Sequence, residues 1–478
     1  MKRSLVALFA LSAIVIVVAS VFAVNARGTI KEPAVAGAFY PADKQSLIGM
    51  VNGFLTKADF SPVDGKLIAL IAPHAGYEFS GQVAAYAYRR LKERDVDTVV
   101  LIGPSHYASF SGVAVYTGGG MKTPLGTVKV NTRIAKSLID ERAQVSADPA
   151  AFDKEHSLEV QLPFLQTALK EFTIVPVLIG QPTRASFDSL TRRLETVLRK
   201  NKNAIILAST DLSHYHDDGA ARTMDAKVID AVSRMSVEDL EQLLSSGEGE
   251  MCGGYPVIFT MAVARKLGAT NSVLYRYANS GDVTHDTSRV VGYAAMGIYK
   301  APLTSGQRNE LLSLAKRTID SYVKRGAMPD YSAKDPRLTA NGATFVTINR
   351  NGALRGCIGN IEPMMPLYRS VMRNAVAACS QDPRFPPMNR EELNGLDIEV
   401  TVLSPLEPLA DARDIVIGTH GLYIVKGMNS GILLPQVAEE YKWDVPTFLE
   451  QVSVKAGLPQ DGWKKDAQIY TFTADIIK

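Results

Sequence analysis

Between about residues 45 and 300 the chain alternates short, wholly apolar runs with longer stretches of helical periodicity. The runs 67–72, 98–103, 113–117, 174–179, 204–209 and 290–298 are rich in Val, Ile and Leu and show no polar alternation. Runs of this kind are strands covered on both faces, as in a parallel sheet. The segments 81–93, 132–141, 157–170, 186–200, 220–233, 237–245 and 256–266 read as helices. Strands alternating with helices predict a layered α/β fold.

The texture changes at Ala301-Pro302-Leu303-Thr304-Ser305-Gly306, a breaker cluster that marks a domain boundary. A helix is predicted over 307–325, with Leu311, Leu314, Ala315, Ile319 and Tyr322 on one face. Beyond it, 343–348 and 397–403 read as strands and 366–380 as a helix, with prolines frequent between them. This is an α+β pattern. The expected domains are therefore 28–300 and 305–478.

Residues 1–27 stand apart. Lys2 and Arg3 precede the uncharged run Leu5–Val24, which reads as an export signal. Ala23 and Ala26 both suit a small-residue cleavage rule, yet the run approaches membrane-spanning length. The segment is either a cleaved signal peptide or an N-terminal anchor associated with the inner membrane. Both readings place the remainder outside the cytoplasm, in a periplasmic location.

Composition narrows the classes further. Among 478 residues, 46% are hydrophobic and 21% charged, as in globular proteins, and the length suits two or three domains. The net charge of +3 makes no case for nucleic acid as a partner. Cys252, Cys357 and Cys379 allow at most one disulfide. Cys357–Cys379 is an available pair, and Cys252 is the expected free thiol.

Three apolar runs end in loops that carry histidine: Pro73-His74-Ala75-Gly76-Tyr77, Pro104-Ser105-His106-Tyr107, and Thr210-Asp211-Leu212-Ser213-His214-Tyr215-His216. Loops after the carboxyl ends of parallel strands line the binding crevice. Such loops gather imidazoles and a carboxylate at one mouth, which suits metal binding or acid/base chemistry. Cys252 precedes a predicted helix, where a thiolate is stabilised; the alternative is a small buried cysteine. Glu155-His156-Ser157-Leu158-Glu159 opens another helix. His156 is there either a first-turn residue near a ligand or part of a capping arrangement. In the second domain, Arg355 and Cys357 fall in a glycine-containing turn after a strand. Arg355 suits an anionic ligand or cofactor and Cys357 a nucleophile. The alternative is a tight turn with a packed cysteine and a salt-bridged arginine.

Residues about 31–300 resemble the Memo family, related in fold to class III extradiol dioxygenases. The resemblance rests on Pro33-Ala34-Val35-Ala36-Gly37-Ala38-Phe39-Tyr40-Pro41, on the His74 and His106 loops, and on His156-Ser157-Leu158-Glu159. It continues through Ser209–Tyr215, Cys252-Gly253 with Pro256, Ser280-Gly281-Asp282 and Val290–Ala294. It implies a metal pocket of His74, His106 and Cys252, with Asp211 and His214 close by and His214 or His156 as acid/base. In the related dioxygenases two histidines and a carboxylate hold ferrous iron. A cysteine in place of that carboxylate is a softer ligand, which suits iron, copper or zinc and counts against ring cleavage. His285 is assigned to the surface. Residues about 305–478 resemble the AMMECR family, through Leu354-Arg355-Gly356-Cys357-Ile358-Gly359, Asp382-Pro383-Arg384-Phe385, Ile398–Ser404 and Leu433–Val437. Relatives of both domains often accompany a radical S-adenosylmethionine protein in the AmmeMemoRadiSam system. The implied function is a metal-dependent oxidoreductase, with a non-catalytic metal- or ligand-binding scaffold as the alternative. The substrate, small molecule or protein, is left unnamed.

Overall fold

The structure is a computed structural model that describes residues 29–478 apart from residues 60, 93 and 410. The expected signal or anchor, 1–27, lies outside the described residues. Among the described residues no helix is long and apolar enough to cross a membrane.

The first domain is built on a nine-stranded sheet. Its centre is parallel, in the order Lys66–Ala72, Ala204–Ser209, Thr98–Pro104, Thr173–Ile179. Every residue of Thr98–Pro104 is buried, as the unbroken apolar pattern requires. The edges depart from an all-parallel sheet. Val290–Lys300 runs antiparallel to Lys66–Ala72, and Val113–Val115 runs antiparallel to Thr173–Ile179. Val290–Lys300 also pairs antiparallel with Asn271–Asn279, a strand absent from the apolar runs. That strand is half exposed along its length, so its sequence mixes Asn, Ser, Tyr and Arg with apolar residues.

Helix Tyr77–Tyr88 packs on Val290–Lys300 and Lys66–Ala72, and helix Gly254–Lys266 packs on Ala204–Ser209 and Thr98–Pro104. The expected helix over 157–170 is shorter, a 3₁₀ turn Glu159–Gln161 leading into Leu162–Ala168.

The breaker cluster separates strand Val290–Lys300 from helix Ser305–Arg325. Thr304 and Gln307 close a capping box at that helix start, and Gly326 ends it at φ 70°. Two four-stranded antiparallel sheets follow. The first orders Ala353–Gly359, Ala343–Arg350, Leu396–Leu403 and Ala474–Ile477. Helix Leu367–Ser380 covers it and packs on Ser305–Arg325. The second orders Glu407–Pro408, Gln468–Phe472, Gly421–Lys426 and Asn429–Leu433, and carries helix Val445–Lys455. Glu407 links the domains, with its carboxylate 3.0 Å from Arg199 and 3.3 Å from Lys300.

Candidate metal centre

The three histidine loops leave three adjacent parallel strands at the same end. Strand Ala204–Ser209 lies between Lys66–Ala72 and Thr98–Pro104, so its loop falls between those of His74 and His106. The imidazoles of His74 and His106 have centroids 5.1 Å apart, and that of His156 lies 5.6 Å and 4.6 Å from them. His74, His106 and His156 each offer a ring nitrogen, all within 4.8 Å of one another.

Cys252 joins them from a fourth loop. Its Sγ is 3.2 Å from His74 Nε2 and accepts from Asp211 N at 3.2 Å. This approach depends on Gly253. A Cβ there would come within 2.4 Å of Ser209 O and 2.5 Å of Thr210 Cβ, so any side chain would push the cysteine loop away. Burial, then the nearby Asp211 carboxylate, pushes the Cys252 thiol up to about 12.

The rings are held by partners that select their tautomers. Ser209 Oγ donates to Ser157 O at 2.6 Å and accepts from Gln161 Nε2 at 2.8 Å. With its proton committed, Ser209 Oγ accepts from His74 Nδ1 at 2.8 Å. His74 Nε2 is then bare and faces the cluster. Burial, reinforced by the neighbouring imidazoles, holds His74 well below its ordinary value, hence neutral. His106 Nδ1 lies 2.9 Å from Glu155 Oε1, which leaves its Nε2 as the donor atom. Glu155 is itself saturated, accepting from the backbone nitrogens of His106, His156 and Ser157. Burial raises Glu155, but the bond to the His106 ring, with the backbone bonds of His106 and Ser157, outweighs it and holds the carboxyl at about 2. Burial lowers His156 to about 4, and its enclosed Nδ1 lies 3.5 Å from Glu155 Oε1.

Asp211 closes the base of the site. Its Oδ1 accepts from His74 N at 2.7 Å, and its Oδ2 lies 4.0 Å from His74 Nε2. Burial pushes this carboxyl up to about 7, against the bonds from His74 and Ala75 backbones. His214 and His216 sit further out and share Glu250, at 3.7 Å and 2.7 Å. His285 is exposed, as expected.

A family model described as Memo-like protein matches residues 31–297, more than half of the chain. The chain belongs to the Memo family. Similar relatives include MEMO1 family proteins of Methanopyrus kandleri and Aquifex aeolicus. Each is 37% identical and aligns with 56% of this chain and 98% of the relative. A second family model, AMMECR1, matches residues 312–477. A solved structure, that of an uncharacterized protein from Pyrococcus horikoshii, is 41% identical over 35% of this chain and 88% of its own, with a TM-score of 0.34. The matched Memo region ends inside strand Val290–Lys300, and the AMMECR1 match begins within helix Ser305–Arg325.

In the Memo domain, Glu159 is neither a cap nor a site residue. It accepts from Lys31 Nζ at 2.6 Å, from the backbones of Ala34 and Val35, and from Tyr40 Oη. This buried cluster anchors the N-terminal arm, whose Phe39 ring packs 4.8 Å from His156. In the AMMECR domain, Arg355 and Cys357 lie inside strand Ala353–Gly359 rather than in a turn. A Cβ on Gly356 would fall 2.1 Å from Ala378 O, so that glycine serves the close helix–strand packing. Arg355 is committed to Glu392, with bonds of 2.6 Å and 3.1 Å, which is the salt-bridged alternative. All three cysteines are free, so Cys357 and Cys379 form no disulfide. Cys357 Sγ accepts from Thr347 Oγ1 at 3.3 Å, and its backbone N donates to Asp382 at 2.8 Å.

Four contributors escaped the sequence reading: Glu155, Ser209, Gln161 and Glu250. Glu155 stands in the quoted His156 motif, but its bond to His106 spans 49 residues and leaves no local signal.

Proposed function

We propose that the Memo domain holds a transition metal on His74 and His106, with Cys252 and His156 completing the donor set. The observation that carries this reading is the convergence of three imidazoles from three loops, each with a ring nitrogen within 4.8 Å of the others. Mixed imidazole and thiol donors suit iron, copper or zinc. Bound there, the metal supplies Lewis acidity or redox chemistry. The chain's own residues supply the rest. Ser209 and Glu155 orient the two imidazoles, Asp211 fixes the backbone of His74, and His214 carries protons at the outer edge of the pocket.

On this reading the protein is a metal-dependent oxidoreductase of dioxygenase ancestry, working in the AmmeMemoRadiSam system beside a radical S-adenosylmethionine protein. The sequence of residues 1–27 supports a site outside the cytoplasm, which cell fractionation checks. The deciding experiment is anaerobic loading with iron, copper or zinc followed by elemental analysis. One metal per chain, lost in the His74→Ala/His106→Ala variant, is the expected result. A folded chain that takes up none of the three overturns the proposal. A second reading, a metal-binding scaffold without turnover, is favoured by the thiol at Cys252. A metal-loaded chain that turns over any phenolic substrate excludes it.

A further inference from the structure

Away from the histidine cluster, a cleft of about 520 Å³ opens between the two domains. Its volume falls in the range of small-molecule sites, and such sites favour domain interfaces. The Memo side contributes Arg234, Glu238, Asp239, Arg265 and Lys266. Arg234 pairs with Asp239 at 2.5 Å, Arg265 with Glu238 at 3.4 Å, and Lys266 approaches Glu195 at 3.9 Å. These charges are answered within the protein.

Arg337, on the AMMECR side, is different. Its Nε is enclosed and has no hydrogen-bond partner. Among the described residues no carboxylate lies within salt-bridge distance of it, although Asp335 and Asp475 are near enough to act on its charge. Burial lowers its guanidinium to about 10, in spite of those carboxylates. The side chain as a whole is half-buried, and a guanidinium forks naturally onto a carboxylate. Around it the walls include Met235, Ile361, Pro363, Leu403 and Leu406, which suit an apolar body rather than a polyphosphate.

We propose that this interdomain cleft binds a small organic acid, with its carboxylate on Arg337 and its apolar body against the surrounding aliphatic wall. The site draws on both domains, so it gives their fusion in one chain a function that neither domain holds alone.

The test uses the full chain and calorimetric titration with hexanoate and benzoate, each set against its neutral counterpart, 1-hexanol or benzyl alcohol. At least one acid is expected to bind tenfold or more tightly than its alcohol. Arg337→Gln should erase that preference. Asn341→Trp, at an exposed position on the cleft wall, should block binding without touching a buried group. Acid and alcohol binding equally, acid binding unchanged in both variants, or no binding of either acid would each overturn the proposal.

Discussion

At the scale of single residues, the centre depends on groups that never touch its middle. Glu155 fixes the ring of His106, and removing such an outer partner typically weakens a metal 10–100-fold. Glu155→Gln keeps one acceptor oxygen, for the backbone nitrogens of His156 and Ser157, but loses the charge and sets an amide N–H against His106 N. The expected outcome is a folded chain whose metal affinity, read by chelator competition, falls by roughly 10–100-fold. Ser209→Ala should likewise release His74 to its other tautomer and weaken the site, because the hydroxyl is the sole described partner of His74 Nδ1. His74 and His106 were legible because each follows an apolar run, and Cys252 because it flanks a glycine. Their supports were not, because a hydrogen bond across 49 or 135 residues has no period to read.

At the scale of elements, the sequence pattern carried the central strands and most helices of the Memo domain, since full burial leaves an unbroken apolar run. It missed Asn271–Asn279 and the whole second AMMECR sheet, whose strands keep one face partly open and alternate irregularly. Two elements offer stability tests. Lys31 and Glu159 are both buried, so Glu159→Ala strands a charged lysine and should cost about 3–5 kcal/mol in urea unfolding. Asp382 ties Ala353–Gly359 to the Arg384 loop. The Arg384 bond, helped by the backbone nitrogens of Cys357 and Arg384, holds its carboxyl well below the ordinary range. A depressed folded value means that the stabilisation is present above about pH 4 and is lost as the pH falls below it. Arg384 is half exposed and screened, so Asp382→Asn should cost only about 1 kcal/mol at pH 7. The urea midpoints of variant and parent should converge as the pH drops below about 4.

At the scale of the whole molecule, the apolar clusters respect the breaker cluster. One runs from Val35 to Tyr299, and the other three lie between Leu303 and Ile477. Segments 29–301 and 302–478 should therefore each fold when produced alone, with a cooperative calorimetric transition. Glu407→Gln, which removes a partly exposed bridge, should shift the full chain by less than about 1 kcal/mol. The order of strands in the first sheet also sets a schedule for biosynthesis. Lys66–Ala72 and Thr98–Pro104 do not pair with each other; Ala204–Ser209, made well after both, sits between them. Until it inserts, His74 and His106 have no fixed spacing, and Cys252 arrives later still. The imidazoles of His74 and His106 can therefore come to their final spacing only late, once Ala204–Ser209 has closed the sheet, with the Cys252 loop following.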